Sequence, residues 1–281
     1  MARSKKIIVT HTWPDLDAIA SAWLIKRHLP GWKLAEMQFV PAGETLNQQK
    51  VDSNPNIIHT DTGLGQFDHH QLKQKTSATE RVLKHLIKHK YISGLEKQAL
   101  IRLTKVVTFF DNFQEVNLKD PTSDIYDFLL HQIIEGVKIK LTNDLQTVEF
   151  GFLALEGVLN ILKNKLRAEK ELKNAYIFKT SKGKGLAVIS SNEVVSQIAL
   201  KSGYKLVLRF DKNRKIVKIK AHPESEIDLT ETYNKLKNLE PKTRWFLHQS
   251  KKILLNGTLK SPNYTPTKLK LPELIEVLKQ I

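Results

Sequence analysis

Two short stretches of the chain hold side chains whose types and spacing could do chemistry. One reads His11-Thr-Trp-Pro-Asp15-Leu-Asp17-Ala-Ile-Ala-Ser21, the other Asp61-Thr-Gly-Leu-Gly-Gln-Phe-Asp68-His69-His70, and together they supply three histidines and four aspartates. In a chain with no cysteine, that set is the donor array of a pair of divalent cations. Neutral imidazole with carboxylate suits Mn²⁺, Zn²⁺, Fe²⁺ or Co²⁺, whereas an all-oxygen set would suit Mg²⁺ or Ca²⁺ better. Asp15 and Asp17 stand two apart in what should be a turn, so they can address neighbouring ions, and Asp61 can bridge both. Two cations about 3.5–4 Å apart can activate a shared water and hold the attacking and leaving oxygens of a phosphoryl centre. The plainer alternative makes His69-His70 a surface pair and Asp15 a helix cap. It explains each fragment singly but not their joint order.

The elements that must position these groups follow from periodicity. Lys5 to Thr10 is a buried-strand pattern running directly into His11. Ala18, Ile19, Ala22, Trp23 and Ile25 then recur at helical spacing, which predicts a helix over 16–28. Asp15 and Asp17 therefore fall where strand gives way to helix, at the carboxyl end of a strand where open α/β sheets place their ligands. Further strands are predicted at 37–41 and 56–60, the last leading to Asp61, and helices at 77–90, 94–110 and 123–136. The expected fold is α/β: a mainly parallel sheet with flanking helices over residues 1–140, a connecting helix over 141–173, and a smaller mixed-sheet α+β domain over 174–281. Leu145, Val148, Phe152, Leu155, Leu159, Leu162 and Leu166 carry the helical period of the connecting segment.

The pattern His-x-x-x-Asp-x-Asp-x-x-x-Ser, then a strand-end Asp, then Asp-His-His, resembles the DHH phosphoesterase superfamily. That superfamily includes RecJ-type exonucleases, oligoribonucleases, cyclic-dinucleotide phosphodiesterases and manganese-dependent pyrophosphatases. The short gap from Asp61 to Asp68, with Gly63 and Gly65 inside it, is similar to the melanocyte-proliferating-gene family of metal-dependent hydrolases and exonucleases. The resemblance implies that His11, Asp15 and Asp61 hold one cation and that Asp17, Asp61, His69 and Asp111 hold the other. Asp120, Asp124 and Asp127 compete with Asp111 for that last place. It implies further that His70 faces the phosphate or leaving group, that Asp68 orients the histidine pair, and that Ser21 supports the first loop. The implied cofactors are two divalent cations, Mn²⁺ first, with Mg²⁺, Co²⁺, Fe²⁺ or Zn²⁺ as alternatives.

Charge divides the chain unevenly. Residues 1–173 carry 24 basic and 20 acidic side chains, and residues 174–281 carry 21 and 9, out of a formal net charge of +16. A basic surface attracts polyanions through phosphate contacts that need no base reading, although a lysine-rich solvated surface would give the same count. The second half reads strand, strand, helix, strand, strand, helix, with Asp211-Lys-Asn213-Arg as a hairpin turn between Tyr204–Phe210 and Lys215–Ala221. Candidate substrate contacts there are Arg209, Lys218, Lys220, His222 and Arg244. Strand alternation puts Lys218 and Lys220 on one face, which could equally be a solvated one. Trp245 either stacks a base or closes a small core. The Gly-Gly-His signature of the best-known DHH partner domain is absent, and Gly183-Lys-Gly185 is too short for a phosphate loop. Thr258 to Pro272 reads as an irregular connection before a last helix.

The absence of cysteine excludes disulfides, thiolate metal sites and cysteine nucleophiles. With 41% apolar residues and no apolar run of about 18, no membrane span is expected. The start Met-Ala-Arg-Ser-Lys-Lys leads straight into strand-like sequence rather than a signal peptide, so the expected location is cytoplasmic. The expected activity is metal-dependent hydrolysis of phosphodiester bonds in a nucleotide or short RNA or DNA, in the manner of an exonuclease or oligoribonuclease. A pyrophosphatase, a cyclic-dinucleotide phosphodiesterase, and a non-enzymatic metal-containing sensor of nucleic acid or metabolite are the alternatives.

Overall fold

The structure is a computed structural model that describes residues 5–141, 143–258 and 263–281. Residues 1–4 of the expected leader-free start, residue 142 and residues 259–262 of the expected irregular connection lie outside them. The chain divides into two compact units, Met1–Lys163 and Asn164–Ile281.

The first unit opens with β1 (Ile7–His11), α1 (Leu16–His28), β2 (Glu36–Val40) and β3 (Ile57–His59). The three strands form a parallel sheet in the order β2-β1-β3. After it come α2 (Ala78–Lys88), α3 (Gly94–Asp111), α4 (Leu130–Lys138) and the start of α5 (Asp144–Leu172).

Helix α1 is the centre of this unit. Every residue from Leu16 to Ile25 is buried, as expected of a helix that is apolar all round. The Asp15 carboxylate starts it by accepting from the Asp17 and Ala18 amides at 2.9 and 3.0 Å. Lys26 and Arg27 stand in its last turn, where cations complement the exposed carbonyls. Helix α5 crosses α1 closely: a Cβ at Gly151 would stand 2.6 Å from Ile19 Cγ2, so only glycine admits this approach.

By length and composition alone, α5 is long and apolar enough to cross a membrane, contrary to the expectation from uninterrupted runs. Here Val148, Leu155 and Leu159 are buried, and Glu156 accepts from the Trp23 indole at 3.0 Å and pairs with Arg27.

The helix expected over 123–136 begins only at Leu130. Successive three-residue turns (Ser123 amide to Asp120 carbonyl, Tyr126 amide to Ser123 carbonyl) occupy the preceding stretch. Ile125 and Phe128 are 72% and 81% exposed, so this segment has no buried face to hold a helix against.

The second unit contains β4 (Tyr176–Thr180), β5 (Gly183–Ile189), α6 (Val194–Lys201), β6 (Leu206–Asp211), β7 (Ile216–Ala221), α7 (Thr230–Leu239), β8 (Phe246–Leu247), β9 (Ile253–Asn256) and α8 (Leu271–Lys279). Its sheet runs β4-β5-β6-β7-β9-β8, antiparallel except for the β5–β6 pair. One face packs Phe178, Leu208, Ile219 and Leu254 under α7, α8 and Trp245. On the other face, Leu186, Val188 and Val207 pack under α6 and Ala168 of α5. The sheet is mixed, as the sequence predicts, but α7, β8 and β9 are additions to the predicted order.

Candidate metal centre

The site forms where β1, β3 and the first turn of α1 end together, with α2 and α3 closing it. His11 terminates β1. Its Nδ1 donates to the Thr12 carbonyl at 2.8 Å, which turns Nε2 toward Asp61 Oδ2, 3.4 Å away. Asp61 follows β3 with a left-handed backbone, φ 56°, a conformation aspartate tolerates better than most residues. The Asp61 amide donates to the Phe67 carbonyl at 3.1 Å, so the loop folds straight back on itself. Glycine permits that fold: a Cβ at Gly65 would collide with Val51 Cγ2.

Asp68 staples the same loop and is fully buried. Its Oδ2 accepts from the Leu64 amide at 2.7 Å, while Oδ1 accepts from the His70 amide at 3.1 Å and from His70 Nδ1 at 2.7 Å. His70 is thereby fixed with most of its ring in solvent.

Asp17 anchors the start of α2. Ser77 caps α2 by accepting from the Glu80 amide, which leaves the first two amides of α2 without partners. Asp17 takes both: Oδ2 accepts from Ala78 at 2.7 Å and Oδ1 from Thr79 at 3.0 Å. Asp111 closes the site from the end of α3, where Asn112 Nδ2 donates to its Oδ2 at 3.2 Å and to the Thr76 and Thr108 carbonyls.

Three groups of side chains present donor atoms within 4.8 Å of one another: His11, Asp15 and Asp61; Asp17, His69 and Asp111; and Asp61, His69 and His70. His69 Nε2 stands 3.3 Å from Asp61 Oδ1, 3.6 Å from Asp111 Oδ1 and 3.7 Å from Asp17 Oδ2. Both His69 Nε2 and Asp61 Oδ1 are buried without a hydrogen bond. Two ligands of one ion, each about 2.0–2.2 Å from it, sit about 3–3.5 Å apart, so these two atoms, which make no hydrogen bond, have the spacing of ligands to a shared cation. The residues fit a divalent metal of the imidazole–carboxylate kind.

The electrostatics agree with that fit. Burial pushes Asp61 upward, but the facing imidazoles of His11 and His69 outweigh it and hold the carboxyl at about 2. Burial lowers His11 while Asp61, the Thr12 carbonyl and Asp15 raise it, to about 9. Asp61 raises His69 to about 9 as well, against its burial. Burial, with Asp61 and Asp15 nearby, lifts Asp111 to about 7. Burial and neighbouring carboxylates also raise Asp15 and Asp17. Carboxylates that raise one another in this way are short of positive charge.

Asp120, Asp124 and Asp127 are exposed and outside all three groups. Ser21 donates to the Ala18 carbonyl inside α1 at 3.1 Å, not to the loop.

The five predicted substrate contacts lie in the second unit. Arg209 is 2% exposed, with Nη1 donating to the Ser190 carbonyl at 2.9 Å and Nη2 facing Glu193. Burial therefore withdraws Arg209 from any ligand in solvent. Lys218 pairs with the same Glu193. Lys220 shares its face of β7 and is half-buried, with burial lowering its pKa. His222 Nδ1 accepts from the Glu224 amide at 3.3 Å, and Arg244 is exposed. Trp245 is 7% exposed and closes the core of that unit.

Two residues near the cluster carried no signal in the sequence. Asn112 anchors Asp111, and its type after a helix reads only as an end cap. Lys138, with 3% of its side chain exposed, lies close enough to Asp15 to draw its pKa downward. A lysine in the last turn of α4 reads only as a dipole partner.

Among solved structures, 17 chains match. RecJ from Thermus thermophilus in complex with Mg²⁺ aligns at a TM-score of 0.31 and 13% identity, over 99% of this chain and 49% of that one. An uncharacterized protein from Helicobacter pylori aligns at 0.27 and 12%, over 98% of each chain. The DHH domain of a protein described as a member of a family of ribosomal proteins aligns at 0.33 and 12%, over 99% and 87%. The chain thus spans about half the length of the RecJ it matches. No curated protein sequence matches it. Residues 8–162 match the family described as ChrB, C-terminal domain, which covers the unit with the His–Asp cluster and is not the family its motif spacing resembles.

Proposed function

The chain belongs to the ChrB C-terminal-domain family, and from that premise we propose that the unit it covers is a metal-dependent phosphoesterase. The observation that carries the proposal is the buried Asp61 Oδ1–His69 Nε2 pair, 3.3 Å apart with no hydrogen bond to either atom, set among carboxylates that repel one another. Bound cations, Mn²⁺ first among them, would acidify a water and polarise a phosphoryl oxygen. His11, Asp15 and Asp61 would hold one of them, and Asp17, Asp61, His69 and Asp111 the other.

The chain's own residues do the rest. Asp61 keeps its charge at neutral pH because two imidazoles face it. Asp17 ties the centre to α2, and Asn112 ties Asp111 to the loop before α2, so the donors are held before any ligand arrives. Asp68 fixes His70 through Nδ1, leaving Nε2 to hold a phosphate oxygen or pass a proton to the leaving oxygen.

A nucleotide or short oligonucleotide is the substrate class we favour, because the basic excess lies in residues 174–281. A substrate-binding role for that segment belongs to the same proposal. One observation favours a compact substrate instead: Glu193 engages both Arg209 and Lys218, which reduces the free positive charge. Salt separates the two, since polymer cleavage falls steeply with ionic strength and small-substrate hydrolysis does not.

The test uses metal-stripped protein given Mn²⁺, with bis(p-nitrophenyl) phosphate and labelled RNA and DNA oligomers of about two to five residues, sizes chosen for a site binding few nucleotides. Turnover that requires Mn²⁺ and disappears in Asp61→Asn supports the proposal. Binding of oligomers with no product on any substrate, pyrophosphate included, favours a non-enzymatic sensor.

A further inference from the structure

Trp13 lies two residues from both His11 and Asp15, yet the metal cluster makes no use of it. It is 59% exposed, whereas Trp23, Trp32 and Trp245 are 3%, 5% and 7% exposed. Its backbone is left-handed, φ 56°, a region that bulky side chains rarely occupy. A large aromatic held in water on a strained backbone marks a constraint other than packing.

Lys138 supports the indole from α4. Its Nζ donates to the Trp13 carbonyl at 3.3 Å, pairs with Glu135 at 2.6 Å, and stands 5.4 Å from the ring centre. That contact steadies the ring but does not account for it, because most of the indole stays in solvent. Beside it opens a cavity of about 520 Å³ whose walls include Trp13, Phe39, Lys138, Leu145 and Thr147, within the size range of small-molecule sites.

We propose that Trp13 is the stacking platform for the base of a nucleotide whose phosphate sits at the His11–Asp61 cluster, with Phe39 and Lys138 completing the subsite. The proposal rests on the phosphoesterase function above and adds the residues that would hold the base of its substrate. Two residues of chain span at most about 7 Å, the scale of the sugar that separates a base from its phosphate. Aromatic stacking is tolerant of base identity, so purine and pyrimidine nucleotides should both bind.

Because Trp13→Ala and Trp13→Phe both remove the indole, binding is read by isothermal titration rather than by tryptophan emission. Mn²⁺-loaded full-length protein is titrated with AMP, UMP and ribose 5-phosphate. AMP and UMP should bind about tenfold more tightly than ribose 5-phosphate, a factor within the range of one stacked base. Trp13→Ala should lose that preference and Trp13→Phe should keep most of it. No preference in the unaltered protein, or an unchanged preference in Trp13→Ala, overturns the subsite. Turnover of bis(p-nitrophenyl) phosphate in the same preparation judges the hydrolase separately. Nucleotide preference with no turnover of this diester, the oligomers or pyrophosphate sinks the hydrolase and keeps the subsite, while turnover without preference does the reverse.

Discussion

Asp61 Oδ1 and His69 Nε2 face each other at 3.3 Å, both buried, and neither makes a hydrogen bond. Each holds the other charged, His69 protonated up to about 9 and Asp61 ionised down to about 2, and a cation between the two would take the place of that proton. Asp61 also faces His11 at 3.4 Å, so a single carboxylate joins the two halves of the cluster. Replacing Asp61 with Asn keeps the shape but removes the charge. Turnover should fall on the order of a thousandfold, about 4 kcal/mol of transition-state stabilisation, as measured by kcat/KM with Mn²⁺ saturating. Activity within tenfold of the original protein would contradict the assignment.

Asp68 touches His70 but belongs to none of the three donor groups. Asp68→Asn should therefore lower kcat about 10–100-fold, the usual effect of disturbing a histidine's hydrogen-bond partner, and leave Mn²⁺ affinity less affected. Parallel kinetics and metal titration measure the split. An equal loss in both would place Asp68 among the ligands.

The metal-free protein should lose thermal stability as pH rises. His11 and His69 hold protons up to about 9, so their contribution is complete below about 6.5 and is lost as pH climbs through 9. Asp111, held up to about 7, loses its contribution between about 3.8 and 7. Asp61, held at about 2, acts the other way: its contribution is present above about 3.8 and is lost only as pH falls toward 2. Tm should thus decline from pH 5 to 9 without metal. Saturating Mn²⁺ should flatten that decline, because cations take the place of the protons. A Tm independent of pH in the metal-free protein would contradict these shifts.

Gly151→Ala sets two effects against each other. Alanine favours a helix over glycine by about 1 kcal/mol, but its methyl would stand 2.6 Å from Ile19 Cγ2, and overpacking a core costs about 1–3 kcal/mol. Because α1 is buried along most of its length, Ile19 has little room to yield, and net destabilisation of about 1–2 kcal/mol is expected in urea unfolding. A neutral or stabilising result would mean that α1 and α5 pack less tightly than they do here.

Much of the site was legible because His11, Asp15, Asp17, Asp61, His69 and His70 sit in two short segments directly after strand patterns. Asp111 was distinguishable from its three rivals only by position: it ends a packed helix, while they lie on a loop with no buried face. Lys138 and Asn112 act across sequence gaps that no periodicity reports. Arg209 read as available because strand alternation does not say which face a helix will cover, and here α6 and α5 pack on its side of the sheet. α7 and β9 escaped because a helix with few apolar residues and a four-residue strand give too little periodic signal.

The central claim is that Asp61 joins two cations in one centre. Isothermal titration of metal-stripped protein with Mn²⁺, on the original chain and on Asp61→Asn, tests it directly. The account predicts two ions per chain in the first, with protons released on binding, and weakened binding at both positions in the second. A single ion per chain, or two ions bound equally well by Asp61→Asn, would contradict it.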